Sequence, residues 1–476
     1  MDSCSSSMRG STPADASPGR HRLPTARVPR RRVAPPAART VPARRANLVA
    51  LAALAAALAR AAAVGAEPAA ATVATETLVA EALAHNPEIR AARQEQAAAE
   101  QRATSARALE DPMLELGVVN APLPFSLRRD DMTMKMLGLT QKLPYPGKRA
   151  LRGSVAAADF ASIGHAADET ANRVRRDLRL AYEDLRLAYS SERIAGRSRE
   201  LLRQLVAVTE AQYALGRGTQ GDVLKAQSEV VRMQQELLRI EGQKSARQND
   251  LERLLGRAEP GPAIVPTPPA LLPLGAEPDA LLRAASERRP QARALDALID
   301  KSDREVELAR REYYPDFELR LGYGQRERMI GGTPRDDMIT MTVAVNLPLW
   351  RQSRLAPRVA EARAMRAQAA ALADAQRLET RTSLAQQLVL ERASRESAAL
   401  CRSTLLPQAR AGAESALQAY QLGRADFLTL LDAQMREYTT ALAEAEAVAM
   451  HNRAIAEIDF LSGAAPERAT AEGGLP

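Results

Sequence analysis

Five short segments recur in the same order about 205 residues later, and this duplication limits the possible folds more than any other feature of the chain. Residues 86–91 (NPEIRA) return as 289–294 (RPQARA), and 111–116 (DPMLEL) as 314–319 (YPDFEL). Residues 142–145 (KLPY) return as 346–349 (NLPL), 213–217 (YALGR) as 420–424 (YQLGR), and 223–227 (VLKAQ) as 430–434 (LLDAQ). The offsets stay between 203 and 207, and chance matches would not hold that register. A proline-dense stretch, 260–278, separates the copies. The expected organisation is a leader (1–66), a first repeat (67–259), the linker (260–278), a second repeat (279–465) and a tail (466–476).

Each copy carries the same succession of patterns. A helix of about thirty residues comes first, near 76–108 and 279–312, rich in Ala, Arg, Glu and Gln, which favour helix. Pro87 and Pro290 mark where a short lead-in helix breaks and a new first turn begins. Two short strands follow, then a very long helix, a tight turn and a shorter returning helix. No proline occurs from Gly147 to Glu259, and a helix over 148–214 would run roughly 100 Å at 1.5 Å per residue. Leu178, Tyr182, Leu185, Tyr189, Ile194, Leu201, Leu205 and Val208 form a narrow apolar stripe that must pack against neighbouring helices. The second long helix runs from about 353 to 421, where Pro407 is expected to kink it.

The strands alternate. Ile339, Met341, Val343, Val345 and Leu347 interleave with Met338, Thr340, Thr342, Ala344 and Asn346; Phe317, Leu319, Leu321 and Tyr323 interleave with Asp316, Glu318, Arg320 and Gly322. The first copy repeats the scheme through Leu114, Leu116 and Val118, and through Leu137, Leu139 and Leu143. Such a face suits either a half-buried soluble hairpin or a membrane barrel with lipid outside and water inside. A length near ten residues matches a bilayer crossing. Tyr145, Tyr313, Tyr314 and Trp350 all fall at strand–helix junctions in a chain with few aromatics, as in an interfacial girdle. Four strands cannot close around water, so several chains must contribute to any barrel.

Charge is concentrated at the start. Residues 1–66 hold 11 Arg and two acids, a local +9 against +8 for the whole chain, which leaves about −1 for residues 67–476. The basic balance therefore belongs to the leader, and nothing points to nucleic acid as a partner. Arg44 and Arg45 precede an apolar run, 48–59, and small residues Val64, Gly65 and Ala66, as in an export signal. An uncleaved anchor helix is the other reading. Cys4 lies in the leader and Cys401 stands alone, so no internal disulfide and no lipid-bearing cysteine at the cleavage point is expected. Catalysis has little support: His85, His165 and His451 are far apart, and neither phosphate-loop, HExxH nor GxSxG patterns occur.

Two further segments, 215–227 (LGRGTQGDVLKAQ) and 422–434 (LGRADFLTLLDAQ), complete a pattern that resembles the outer-membrane efflux family, the TolC-type tunnel proteins, over residues 72–465. The resemblance implies a mostly α fold with a small transmembrane β-barrel. Duplicated β-β-α-α units would supply four strands per chain to a twelve-stranded trimeric barrel, continued by a long periplasmic α-helical barrel. It implies a homotrimer in outer-membrane lipid, a periplasmic adaptor (membrane fusion protein), an inner-membrane RND pump and no cofactor. At the tips, Gly216 and Gly423 let a long helix end in a left-handed residue, and Asp222 or Asp426 helps start the return helix. Leu215, Gly216, Arg217, Asp222, Val223, Leu224, Leu422, Gly423, Arg424, Asp426, Phe427 and Leu428 are the candidate adaptor contacts. Asp222 falls on the family's acidic gate partner and Tyr420 on its tyrosine. Arg424 lies one place earlier than the family's arginine, where this chain has Ala425. Asp432 matches one aperture aspartate, and Thr429 replaces the other. Segments 135–136 and 141–149 are similar to members paired with heavy-metal pumps. Met132, Met134 and Met136 would place three soft thioethers on one strand face, with Cu(I) or Ag(I) chemistry set against ordinary methionine packing. The competing expectation is a soluble periplasmic coiled-coil adaptor or scaffold; a general diffusion porin would need many more strands.

Overall fold

A computed structural model describes residues 72–259 and 261–463. The expected export signal, Cys4, Pro260 and the tail lie outside the described residues.

The split in each opening helix follows from proline. Strand β1 (Thr72–Val73) leads into α1 (Thr75–His85), and α2 (Pro87–Ser105) begins one residue later. Asn86 between them is extended, and its Oδ1 accepts the N–H groups of Glu88 (2.8 Å) and Ile89 (3.3 Å), which the helix cannot satisfy itself. Its Nδ2 donates to the Leu254 carbonyl (2.8 Å), tying this corner to the end of the return helix.

Strands β2 (Met113–Val119) and β3 (Met134–Leu143) feed α3 (Lys148–Ala214), which returns as α4 (Gln220–Leu255). The linker contributes β4 (Val265–Pro266), paired in parallel with β1. The second copy repeats the order: α5 (Pro278–Glu287), α6 (Pro290–Arg311), β5 (Phe317–Gln325) and β6 (Met338–Val345). A π turn (Arg351–Leu355) then opens α7 (Ala356–Leu400). A second π turn (Cys401–Leu405) joins it to α8 (Leu406–Gln421), and α9 (Phe427–Ser462) returns.

The second long helix departs from expectation in one respect. Besides Pro407, Pro357 interrupts it, and each proline lies just past a π turn. A proline has no N–H to donate and its ring crowds the carbonyl four residues back, so the preceding turn widens to relieve both.

The four longer strands form one antiparallel sheet in the order β2-β3-β5-β6. The pairing Leu116↔Leu137↔Tyr323↔Ile339 places apolar residues opposite one another across all four strands. Helix α3 is the spine, packed along its length against α2, α4, α6 and α9, while α7 packs on α6 and α9. One core joins Leu78, Val79, Ile89, Leu178, Tyr182, Leu185 and Leu255; another, nearer the turns, joins Leu202, Leu205, Met233, Ile240, Tyr420, Phe427 and Leu430. The buried stripe of α3 therefore shifts. Leu178, Tyr182, Leu185 and Leu205 are buried as expected, but beyond Ser190 the covered positions are Ala195 and Leu202 instead of Ile194 and Leu201. A straight 3.6-residue helix drifts about 20° per heptad from a fixed seam, and its neighbours change along its length.

The linker is pinned by α9. Asn452 accepts from Leu272 N–H (3.0 Å) and donates to the Ala270 carbonyl (2.9 Å) and to Glu183 (3.2 Å). His451 Nε2 lies 2.8 Å from the Leu272 carbonyl.

Candidate functional site

The two turns where long helices reverse are built alike. Gly216 and Gly423 both adopt φ +70°, a left-handed backbone that costs glycine little. Arg217 N–H bonds to the Gln212 carbonyl (2.9 Å) and Gly216 N–H to Tyr213 (3.0 Å). Arg424 to Ala419 (2.8 Å) and Gly423 to Tyr420 (3.0 Å) repeat the pattern, a Schellman ending in each copy. The return helices start differently from one another. Thr219 caps α4 through Asp222 N–H (3.2 Å), while the Asp222 carboxylate accepts from Thr219 N–H (3.1 Å). In the second copy Asp426 is itself the cap, accepting from Thr429 N–H (2.9 Å). Thr429 thus occupies the position of Asp222, and Asp426 that of Thr219, with acid and hydroxyl exchanged. The Thr429 hydroxyl and N–H hold the Asp426 carboxyl below its usual range.

Most tip candidates are exposed. Leu215 (67 %), Leu422 (68 %), Leu224 and Leu428 present apolar side chains to solvent, Arg217 and Arg424 are exposed beside them, and Val223 is half-buried. Phe427 departs from its expected role as a contact. At 2 % exposure it belongs to the tip core, edge-on to Tyr420 with ring centres 5.9 Å apart. The residue that follows an N-cap starts the helix's inner face, and its ring fills the space under the turn.

The gate candidates are partly brought together. The Tyr420 hydroxyl is buried without a hydrogen-bond partner among the described residues; burial, then the nearby Asp222 carboxylate, pushes its pKa up. Among the described residues Arg424 and Asp432 form no ion pair within the chain, and Asp432 is exposed on α9.

At the far end of α3 the sheet shows two unlike faces. Leu116 (75 %), Ile339 (84 %) and Met341 (68 %), with Leu114, Leu139, Leu321 and Val343, form an apolar face left exposed among the described residues. The opposite face carries Glu115, Thr140, Lys142, Glu318, Arg320 and Thr342. Met134 and Met136 lie on that polar face, where Gly324 and Gly322 leave room; a Cβ at Gly324 would sit 2.5 Å from Met134 Sδ. Met132 precedes the strand, in a turn where its N–H donates to Asp130 (2.7 Å), so the three thioethers do not share a strand. Met338, paired with Gly324, shares the face instead. No group of His, Cys, Asp and Glu suited to a metal ion occurs among the described residues.

Sheet and helices meet at a cluster that pattern reading missed. Lys148, the first residue of α3, is buried; its Nζ donates to Asp316 (2.8 Å) and to the Tyr314 carbonyl (2.8 Å). Asp316 also accepts from Tyr145 N–H (2.8 Å). Burial opposes its ionisation, but the Lys148 ammonium and that N–H outweigh it and hold the carboxyl below its usual range. Tyr145 stacks on Tyr314 at 4.7 Å, and the Arg311 guanidinium covers both rings. A lysine at a helix N-terminus opposes the macrodipole, and that misfit was the available signal that Lys148 has an acidic partner.

No helix among the described residues is long and apolar enough to cross a membrane. Comparison with known proteins fits this geometry. The model of the family described as outer membrane efflux protein matches residues 78–257 and 281–464, one stretch in each copy. Protein CyaE of Bordetella pertussis is 28% identical over 205 residues, 42% of this chain and 43% of that one, so the match spans less than half of that relative. Among solved structures, the outer membrane protein VceC of Vibrio cholerae superposes with a TM-score of 0.70 at 19% identity, covering 82% of this chain and 96% of VceC. The channel CusC (TM-score 0.69, 17% identity, 82% and 92% covered) and the CmeC outer membrane channel of Campylobacter jejuni (0.67, 14%, 82% and 85%) share the fold. With both copies matched by the family model, the chain belongs to the outer membrane efflux protein family.

Proposed function

We propose that three copies of this chain form an efflux channel, the outer-membrane part of a tripartite pump. The observation that carries this reading is a four-stranded sheet that, among the described residues, has two open edges, β2 and β6, and an exposed apolar face. Open edges call for pairing, and a single chain cannot enclose a pore. Pairing β6 of one copy with β2 of the next would give twelve strands around three copies, with lipid outside and the Glu115–Thr140–Arg320 face inside. The helices would then continue the wall into the periplasm, and the exposed leucines at the turns would meet an adaptor that links the channel to an inner-membrane pump.

In this reading Asp222, Tyr420 and Arg424 hold the closed state through contacts between copies, since the Tyr420 hydroxyl has no hydrogen-bond partner among the described residues. Asp432, repeated three times about the axis, would attract cations. Heavy-metal cations and drugs are the two cargo classes to compare, by deleting the gene and scanning tolerance to copper, silver, zinc, cobalt and drugs.

Two measurements test the reading. Cell fractionation should find the protein in the outer membrane as a detergent-requiring trimer; a water-soluble monomer would overturn it and favour the adaptor or scaffold alternative. In planar bilayers, Asp222→Ala and Arg424→Ala should each raise single-channel conductance, and unchanged conductance in both removes the gate assignment.

A further inference from the structure

Beside the junction, Lys148, Arg152, Leu308, Glu312, Asp316, Trp350, Arg354 and Arg358 surround a cleft of about 300 Å³. Its charges do not balance. Lys148 is matched by Asp316 (2.8 Å) and Arg358 by Glu312 (2.6 Å). Arg152 and Arg354 form no ion pair among the described residues, and both are exposed. The cleft therefore carries two surplus positive charges. Its rim is apolar: Leu347, Leu349 and Trp350, just past the end of β6, are exposed among the described residues.

We propose that this cleft binds the phosphate of an anionic phospholipid, with Arg152 and Arg354 on the phosphate oxygens and Leu347, Leu349 and Trp350 against the acyl chains. Guanidinium groups match phosphate geometry with paired N–H donors. An exposed tryptophan beside surplus cations is the combination expected where a protein meets lipid headgroups. The inference rests on the membrane-spanning reading of the sheet, because it places the cleft at the level where the strands end and the helices begin. Free phosphate shares the recognised chemistry but lacks the chains that the rim would cover.

The test is native mass spectrometry of the full chain in mild detergent, with phosphatidylglycerol, phosphatidylethanolamine or inorganic phosphate added. Lipid retained per subunit is counted in whatever oligomer appears, so failure of the trimer and failure of the site are read separately. The wild-type chain should retain phosphatidylglycerol over phosphatidylethanolamine. Arg152→Gln and Arg354→Gln should each lower that retention about fivefold, the factor expected for one cation near an anionic surface. Equal retention of both lipids overturns the proposal, as does undiminished retention in the double variant. Complete displacement of phosphatidylglycerol by millimolar phosphate would assign the cleft to a free anion and overturn the lipid source.

Discussion

Glu183 shows how burial sets the behaviour of one side chain here. It lies on α3 between Arg186 and Asn452, and burial pushes its pKa up against the opposing pull of Arg186. The folded chain therefore holds this proton more tightly than the unfolded chain does. The stability it contributes is greatest at low pH and falls as pH rises from the ordinary carboxylate value through the raised one. Glu183→Gln keeps an acceptor oxygen beside Asn452 but does not titrate. Thermal unfolding from about pH 4 to pH 7 should show wild type losing ground to the variant as pH rises. Parallel profiles would mean that Glu183 titrates alike in both states.

Among the elements, the return helices offer the cleanest comparison, because the two copies reach one geometry with different chemistry. In α4 a threonine caps and an aspartate closes the box; in α9 an aspartate caps and a threonine stands at the third position. Removing either cap, Thr219→Ala or Asp426→Ala, should cost about 1 kcal/mol. Amide hydrogen exchange in the first turn of the affected helix should quicken, with little change in the other copy. Faster exchange in both tips at once would show that the turns are coupled through the shared Tyr420–Phe427 core and are not independent. The helix starts at Pro87 and Pro290, the glycine turns and the extent of α3 were legible because each depends on a local backbone rule. The burial of Phe427 and the one-position drift of the α3 stripe were not, since both depend on which helix lies opposite.

For the whole molecule, the decisive feature is the two-faced sheet. If its apolar face meets lipid, Met341→Arg should destabilise the folded channel by about 2–4 kcal/mol. Thr342→Arg, one residue along on the other face, should be tolerated. Refolding into lipid vesicles under a urea titration measures both. Similar penalties at the two positions, or none at either, would contradict the assignment of faces. Lys148 and Asp316 join the start of α3 to the start of β5, a link between the first repeat and the second.

Duplication, strand alternation and proline placement were all present in the sequence, and they determine a repeated strand–strand–helix–helix chain with one apolar sheet face. These are periodic properties, written along the chain at steps of two or near 3.6 residues. The tertiary structure alone decided the strand order β2-β3-β5-β6, the burial of Lys148 against Asp316, the removal of Phe427 from the surface and the surplus charge beside Trp350. Each of these joins residues from different copies or elements, and spacing along a chain carries no record of which distant side chains will meet.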